Sequence, residues 1–270
     1  MDDDFAMPKG ELMRGKRGLI MGVANHNSIA WGIASQIAAQ GGEVGLAYME
    51  VNEKRVRPLG ESIGASLYTT FDASSDESMA ASFKVVEDQW GSLDFLVHAI
   101  AFAGRDHMKG SFVESATRAG FAQALDISAY SFVDAARRAS RLMGRGGSMI
   151  ALTYLGSERA IPNYNVMGVA KAALEAAVRY VARDLGPAGI RVNAISAGAM
   201  RTLSLAGISG GRGMLAEGRR LSALKEDTSM EGVAGCALWL LSDLGRSTTG
   251  EVVHVDAGFH MMGLAADEEA

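Results

Sequence analysis

The chain has 270 residues, 48% of them hydrophobic and 21% charged, a composition that permits a sizeable packed core. A net charge of -5 gives no electrostatic reason to bind nucleic acid, and no run is long and apolar enough to span a bilayer. The single cysteine, Cys236, excludes an internal disulfide and a cysteine-rich metal site, and the five histidines are scattered without metal-ligand spacing.

Short apolar runs alternate with longer amphipathic segments. Residues 18–23 read as a strand, 28–40 as a helix, 43–48 as a second strand and 53–63 as a helix. A third strand is expected at 66–71, a helix at 76–89, a fourth strand at 93–98 and one long helix at 121–142. A fifth strand at 148–152 precedes a helix that starts near Tyr164 and ends where Gly186-Pro187 stops it. Sixth and seventh strands are expected at 190–195 and 251–255. Residues 197–213 hold five glycines and are expected to be irregular, in a place where open sheets bind ligands. No apolar core follows the acidic start, so no signal peptide is expected and a cytoplasmic location is. The alternation predicts an α/β fold: a single-domain, Rossmann-like, doubly wound parallel sheet of about seven strands with helices on both faces.

Two segments carry chemistry. After the first strand, Gly22 begins a turn of small and polar residues that leads into Ser28, a candidate N-cap. Backbone N–H groups at that helix start would face a pyrophosphate. At the end of the second strand, Met49 and Glu50 offer no basic partner for a 2′-phosphate, which favours NADH over NADPH. Asp72 is either an adenine-edge acceptor or a turn aspartate. His98, with no carboxylate partner evident, reads as structural.

The second segment is Tyr164 to Lys171. Seven residues are close to two helical turns, about 10.5 Å of rise with little angular drift. A phenol and an ammonium would then share one face. A fixed cation beside a phenol favours its anion and makes it a better proton donor. The pair suits a reaction that builds negative charge on a substrate oxygen.

The run from Tyr154 through Lys171, with Gly22 through Gly32 and Arg201-Thr202-Leu203, resembles bacterial enoyl-acyl-carrier-protein reductases. These form a divergent branch of the short-chain dehydrogenase/reductase superfamily, and the similarity extends over about residues 15–263. The resemblance implies NADH-dependent reduction of the trans-2 double bond of enoyl thioesters in fatty acid biosynthesis. It implies catalytic roles for Tyr154, Tyr164 and Lys171. Cofactor contacts would fall on Gly22, Ser28, Ile29, Met49, Asp72, Ala73, Ile100, Lys171, Met200, Arg201, Thr202, Leu203 and Ser204, and Ala103 would meet the acyl substrate. An acyl-carrier protein is the implied partner and a homotetramer the implied assembly, with no metal, nucleic acid or membrane. The domain division expected is an N-terminal tail at 1–14, a reductase domain at 15–263 with a flexible substrate loop at 198–215, and an acidic tail at 264–270.

Arg201, Arg212, Arg219, Arg220 and Lys225 form a candidate basic rim for that carrier protein, and 203–215 a candidate lid. Two other readings compete. Ketone and alcohol dehydrogenases of the superfamily place tyrosine and lysine four apart, where this chain has Met167. A catalytically dead dinucleotide-binding regulator would bind NADH without turnover.

Overall fold

The structure, a computed structural model, describes residues 7–144, 146–208 and 210–263, without the side chains of 204, 206 and 212. The acidic ends therefore lie outside the described residues. Seven strands form one sheet, all parallel, in the order β3-β2-β1-β4-β5-β6-β7. They are β1 (Arg17–Met21), β2 (Glu43–Tyr48), β3 (Leu67–Thr70), β4 (Phe95–His98), β5 (Gly147–Thr153), β6 (Ile190–Ala197) and β7 (Val252–Val255). Strands buried on both faces must be apolar nearly throughout, and β1, β4 and β5 are.

Helices cover both faces. On one side α1 (Ile29–Ala39), α2 (Glu53–Ser62) and α10 (Met230–Leu241) pack over a core that includes Ile20, Trp31, Ile33, Leu46 and Leu240. On the other, α3 (Asp76–Trp90), α6 (Ser131–Ser140) and α7 (Asn165–Leu185) enclose Leu19, Leu96, Phe132, Met149 and Leu174. Residues 8–13, placed by sequence in the N-terminal tail, lie against α1. Gln36 and Gln40 both donate to the Pro8 carbonyl, and the Met13 side chain is fully buried.

Two expectations about the elements are corrected. The helix expected at 121–142 is two helices, α5 (Arg118–Leu125) and α6, joined by a wider π turn at Asp126–Tyr130. The extra residue in that turn lets Ser128 bond the Phe102 backbone and Ser131 reach His98. The zone expected to be irregular contains α8 (Leu203–Ala206) and the start of α9 (Gly211–Leu221). Gly211 serves packing there. A Cβ on Gly211 would fall 2.4 Å from the Leu205 carbonyl oxygen, so only glycine lets α9 begin against α8.

The strand order reverses between β1 and β4, and their carboxyl ends open a crevice. Gly22 closes β1 with φ of 103°, and a Cβ there would lie 2.2 Å from the Ala99 carbonyl oxygen. Any larger residue would push apart the two strand ends that form the crevice.

Candidate active site

Tyr154 follows directly on β5 in extended backbone, and a short turn at Leu155–Ser157 then lies on the start of α7. That contact needs glycines. A Cβ on Gly168 would fall 2.6 Å from the Gly156 carbonyl oxygen, and one on Gly156 would fall 2.3 Å from the Tyr164 ring. The Tyr154 and Tyr164 rings meet edge to face at 5.0 Å between centroids.

Tyr164 sits at the N-cap position of α7, flanked by two asparagines in left-handed backbone, Asn163 at φ of 62° and Asn165 at 38°. Asparagine tolerates this conformation better than other side-chain-bearing residues. Both are anchored by α4 (Phe112–Ser115) and the loop before it. The Gly110 N–H donates to Asn163 Oδ1 at 3.1 Å. Asn165 Nδ2 donates to the Gly110 carbonyl at 3.3 Å and to Ser115 Oγ at 3.0 Å. The seven-residue spacing is therefore helical only from Asn165 onward, and the asparagines set the aim of Tyr164. Asn165→Ala should cost about 1–3 kcal/mol of stability, from the strained backbone and the lost bonds. It should lower kcat several-fold more than it raises KM for the dinucleotide. Thermal melts and steady-state rates check this, and a silent variant would show that the asparagine does not aim the phenol.

Lys171 is 5% exposed, and its Nζ donates to the Leu152 carbonyl at 2.7 Å. Burial draws its pKa from 10.5 down to about 8, against the opposing charge of Glu175. The expectation that Lys171 makes the phenol more acidic is not met. Burial first, then Tyr154 and Glu175, push the Tyr164 pKa well above the usual phenol value. The ammonium is engaged with β5, so Tyr164 remains a neutral hydrogen-bond donor. Tyr154 is likewise raised to about 12, by burial and then by Asp256.

His98 is fully buried beneath these groups. The Ser131 hydroxyl donates to the Ile127 carbonyl at 2.6 Å and so accepts from His98 Nε2 at 2.8 Å. Burial, reinforced by Lys171, lowers the His98 pKa to about 3. It is a neutral structural histidine.

A cavity of about 190 Å³ brings most of the expected site together. Gly22, Ser28, Ile29, Ile100, Tyr154, Tyr164, Lys171, Met200, Thr202 and Leu203 all line it. A second cavity of about 380 Å³ adjoins it, sharing Tyr154, Gly198, Ala199 and Met214 as the wall and adding Ile161, Pro162 and Phe259. Other expected residues lie elsewhere. Arg201 lines a neighbouring groove beside Asn25 and Asn27. Met49 is exposed at the end of β2, where it follows Tyr48. Asp72 is exposed after β3, with Oδ1 accepting from the Ser74 backbone at 2.9 Å and hydroxyl at 2.7 Å, and Ala73 is half-buried beside it. Ala103 packs in the apolar cluster that carries Tyr164, with Val166, Met167 and Ala170, and lines neither cavity. The Ser204 side chain lies outside the described residues.

Ser28 is the N-cap of α1 by position, but its side chain does not cap it. Ser28 Oγ turns back and accepts from the N–H groups of Ala24 and Asn25, both at 3.0 Å. The first N–H groups of α1 thus lack a side-chain acceptor and open on the same cavity as Gly22 and Ile29. An anion such as a pyrophosphate fits that end, where the helix dipole adds to the free donors. Among the described residues no cluster of histidine, cysteine and carboxylate could hold a metal.

The basic rim is largely self-neutralised. Arg219 pairs with Asp227, its Nε 3.1 Å from Oδ1, and Arg220 pairs with Glu217 at 2.7 Å. Lys225 Nζ donates to the Arg220 carbonyl at 2.8 Å. The Arg212 side chain lies outside the described residues.

Sequence reasoning missed Glu175 and Asp256. Glu175 lies four residues after Lys171, one turn along the same face, and that spacing was a usable signal. Asp256 follows β7 and reaches Tyr154 only through the fold, with no local pattern to mark it.

The sequence model of the family described as Enoyl-(Acyl carrier protein) reductase matches residues 22–260. Enoyl-[acyl-carrier-protein] reductase [NADH] 1 of Rhizobium meliloti is 50% identical over 256 residues, 94% of each chain. Enoyl-[acyl-carrier-protein] reductase [NADH] FabI of Rickettsia bellii is 46% identical over 253 residues, covering 93% of this chain and 96% of its own. Among solved structures, the reductase of Anaplasma phagocytophilum in complex with NAD superposes with a TM-score of 0.93. It is 50% identical and covers 97% of this chain and all of its own. The Bacillus cereus enzyme, solved with NADP+ and indole naphthyridinone, gives a TM-score of 0.91 at 46% identity, covering 94% of this chain and all of its own.

Proposed function

The chain belongs to the enoyl-(acyl carrier protein) reductase family, and from that premise we propose how its site works. The protein is an NADH-dependent enoyl-acyl-carrier-protein reductase. It saturates the trans-2 double bond of an enoyl thioester, the last step of the fatty acid elongation cycle. The observation that carries the site reading is the convergence of Tyr154, Tyr164, Lys171 and the uncapped start of α1 on one cavity.

NADH, when bound, supplies a hydride to the β-carbon. The chain's residues do the rest. Gly22, Ser28 and Ile29 receive the pyrophosphate at the start of α1, and Ile100, Met200, Thr202 and Leu203 enclose the nicotinamide end. Met49, Asp72 and Ala73 serve the adenosine end, and Arg201 flanks the pyrophosphate from the groove beside Asn25 and Asn27. Lys171 uses donors not spent on Leu152 to hold the nicotinamide ribose. As the β-carbon is reduced, negative charge passes to the thioester oxygen. The Tyr164 hydroxyl, kept protonated by burial, donates a hydrogen bond to that enolate oxygen where the charge develops. The α-carbon then takes a proton drawn ultimately from the solvent, and the product is neutral. Tyr154 divides the two cavities, and the apolar second cavity receives the acyl chain, with Ala103 supporting the wall behind Tyr164. Leu203, Leu205, Ile208 and Met214 of the 198–215 segment line the first cavity, which supports a covering role that excludes water from the enolate.

Delivery by an acyl-carrier protein, a cytoplasmic setting and a homotetramer belong to the same reading. Val133, Val169 and Tyr180 are exposed on α6 and α7, which supports burial of those faces against further copies. No helix among the described residues is long and apolar enough to cross a membrane. The reductase unit is residues 15–263, with residues 8–13 packed on its α1.

The carbonyl-reductase alternative is disfavoured by Met167, which is buried and packs with Tyr164 in the same apolar cluster. Offered NADH with crotonoyl and acetoacetyl thioesters, the purified protein should turn over the enoyl substrate at least tenfold faster. Faster turnover of the keto substrate would reverse the assignment, and binding without turnover of either would mark a regulator.

A further inference from the structure

We propose that Glu175 is a positioning residue for this reaction: through Thr153 it fastens the end of β5 to α7, and its charge keeps the Lys171 ammonium on the Leu152 carbonyl at the edge of the cofactor cavity. The inference rests on the NADH-binding reading of that cavity.

Three buried groups form the device. Thr153 Oγ1 donates to Glu175 Oε1 at 2.6 Å, a short bond with both side chains buried. Thr153 is the residue after Leu152, whose carbonyl accepts from Lys171 at 2.7 Å. Lys171 and Glu175 are one turn apart on α7. The strand end is thus held to the helix at two adjacent residues, once by a cation and once by a carboxylate. Both charges are buried, and each offsets the cost of burying the other. The arrangement leaves the remaining donors of Lys171 toward the cavity that it lines.

The other groups facing Lys171 do not do this work. His98 approaches from β4, but it is neutral and tied to Ser131. Tyr164, on the first turn of α7, and Tyr154, after β5, are phenols held protonated through the neutral range. Asp256, behind Tyr154, is engaged with the His260 backbone at 2.8 Å and ring at 2.9 Å. Glu175 is the carboxylate whose field supports the ammonium.

The test is NADH affinity measured by nucleotide fluorescence from pH 6 to pH 10 on the intact protein. In the wild type, affinity should fall as pH rises through about 8, where Lys171 loses its proton. Glu175→Gln keeps an acceptor for Thr153 but loses the charge, and its midpoint should move down by about one pH unit. Thr153→Val keeps the charge but frees it from β5. Its midpoint should stay within about a third of a unit while affinity weakens several-fold. A merely structural carboxylate would lower stability without moving the midpoint, so a Glu175→Gln profile that superimposes on the wild type overturns the proposal. Should Glu175→Gln fail to fold, Glu175→Asp carries the test, because its shorter carboxylate withdraws from Thr153. Several-fold weaker affinity supports the assignment, and wild-type affinity overturns it. A wild type that binds no NADH at any pH removes the cofactor reading as well; normal binding with an unmoved Glu175→Gln midpoint removes only the role of Glu175.

Discussion

Tyr164→Phe should lower kcat on enoyl thioesters on the order of a hundredfold or more, the usual consequence of removing one donor aimed at a developing oxyanion. The substitution deletes a single oxygen. The ring keeps its edge-to-face contact with Tyr154 and its place against Gly156, so folding should be little changed. NADH affinity should also stay near wild type, because in the proposed site the phenol serves the thioester and not the dinucleotide. The loss should fall on kcat and kcat/KM alike, since the bond strengthens as charge moves to the substrate oxygen. Burial raises the phenol's pKa, so the wild-type rate should show no alkaline limb from Tyr164 near neutrality. Steady-state rates with crotonoyl thioesters and a fluorescence titration of NADH check both halves. A Tyr164→Phe enzyme with wild-type kcat would remove the tyrosine from the chemistry.

Lys171→Met should reduce kcat/KM on the order of a thousandfold, about 4 kcal/mol of transition-state stabilisation. The sulfur-containing chain fills the volume of the lysine stem but donates nothing. The ribose loses a charge-assisted bond, worth about 1.5–3 kcal/mol, and the enolate loses a positive potential beside it. The NADH dissociation constant should therefore rise at least tenfold, with kcat falling as well. Stability should move far less. The Leu152 carbonyl is left without its donor, but a costly buried charge is removed. The pH dependence of folding should change in a defined sense. In the wild type the ammonium titrates near 8 rather than 10.5, so the unfolded chain binds more protons between those values. Wild-type stability therefore gains as pH rises through that window, and the methionine variant lacks the gain. Denaturant melts at pH 7.5 and pH 10 check this. Equal loss of activity and of folding free energy would make Lys171 a structural residue only.

The sheet was readable because each strand is an apolar run followed by a helix with its own periodicity, as in 43–48 and 53–63. The Tyr164–Lys171 pair was readable for a similar reason, since both ends lie in one local stretch. What the chain could not announce was the direction of long-range effects. The acidity of Tyr164 is set by how deeply the fold buries it, and that outweighs a cation seven residues away. Arg219 and Arg220 look like a basic cluster in sequence, but each finds a carboxylate once α9 forms. The glycines of 197–213 suggested irregularity, whereas Gly211 is small because Leu205 lies against it. The extra residue at 126–130 is invisible to a period-3.6 reading, which sees one helix through it.

The inward turn of Ser28 has a further result. A helix that spends its own cap on the preceding loop leaves its first donors free to meet an acceptor from outside the chain. On the proposed function, the dinucleotide would then be a structural member as much as a reactant. Occupancy should tighten the entire first crossover, so that the protein's rigidity follows the nucleotide supply of its surroundings.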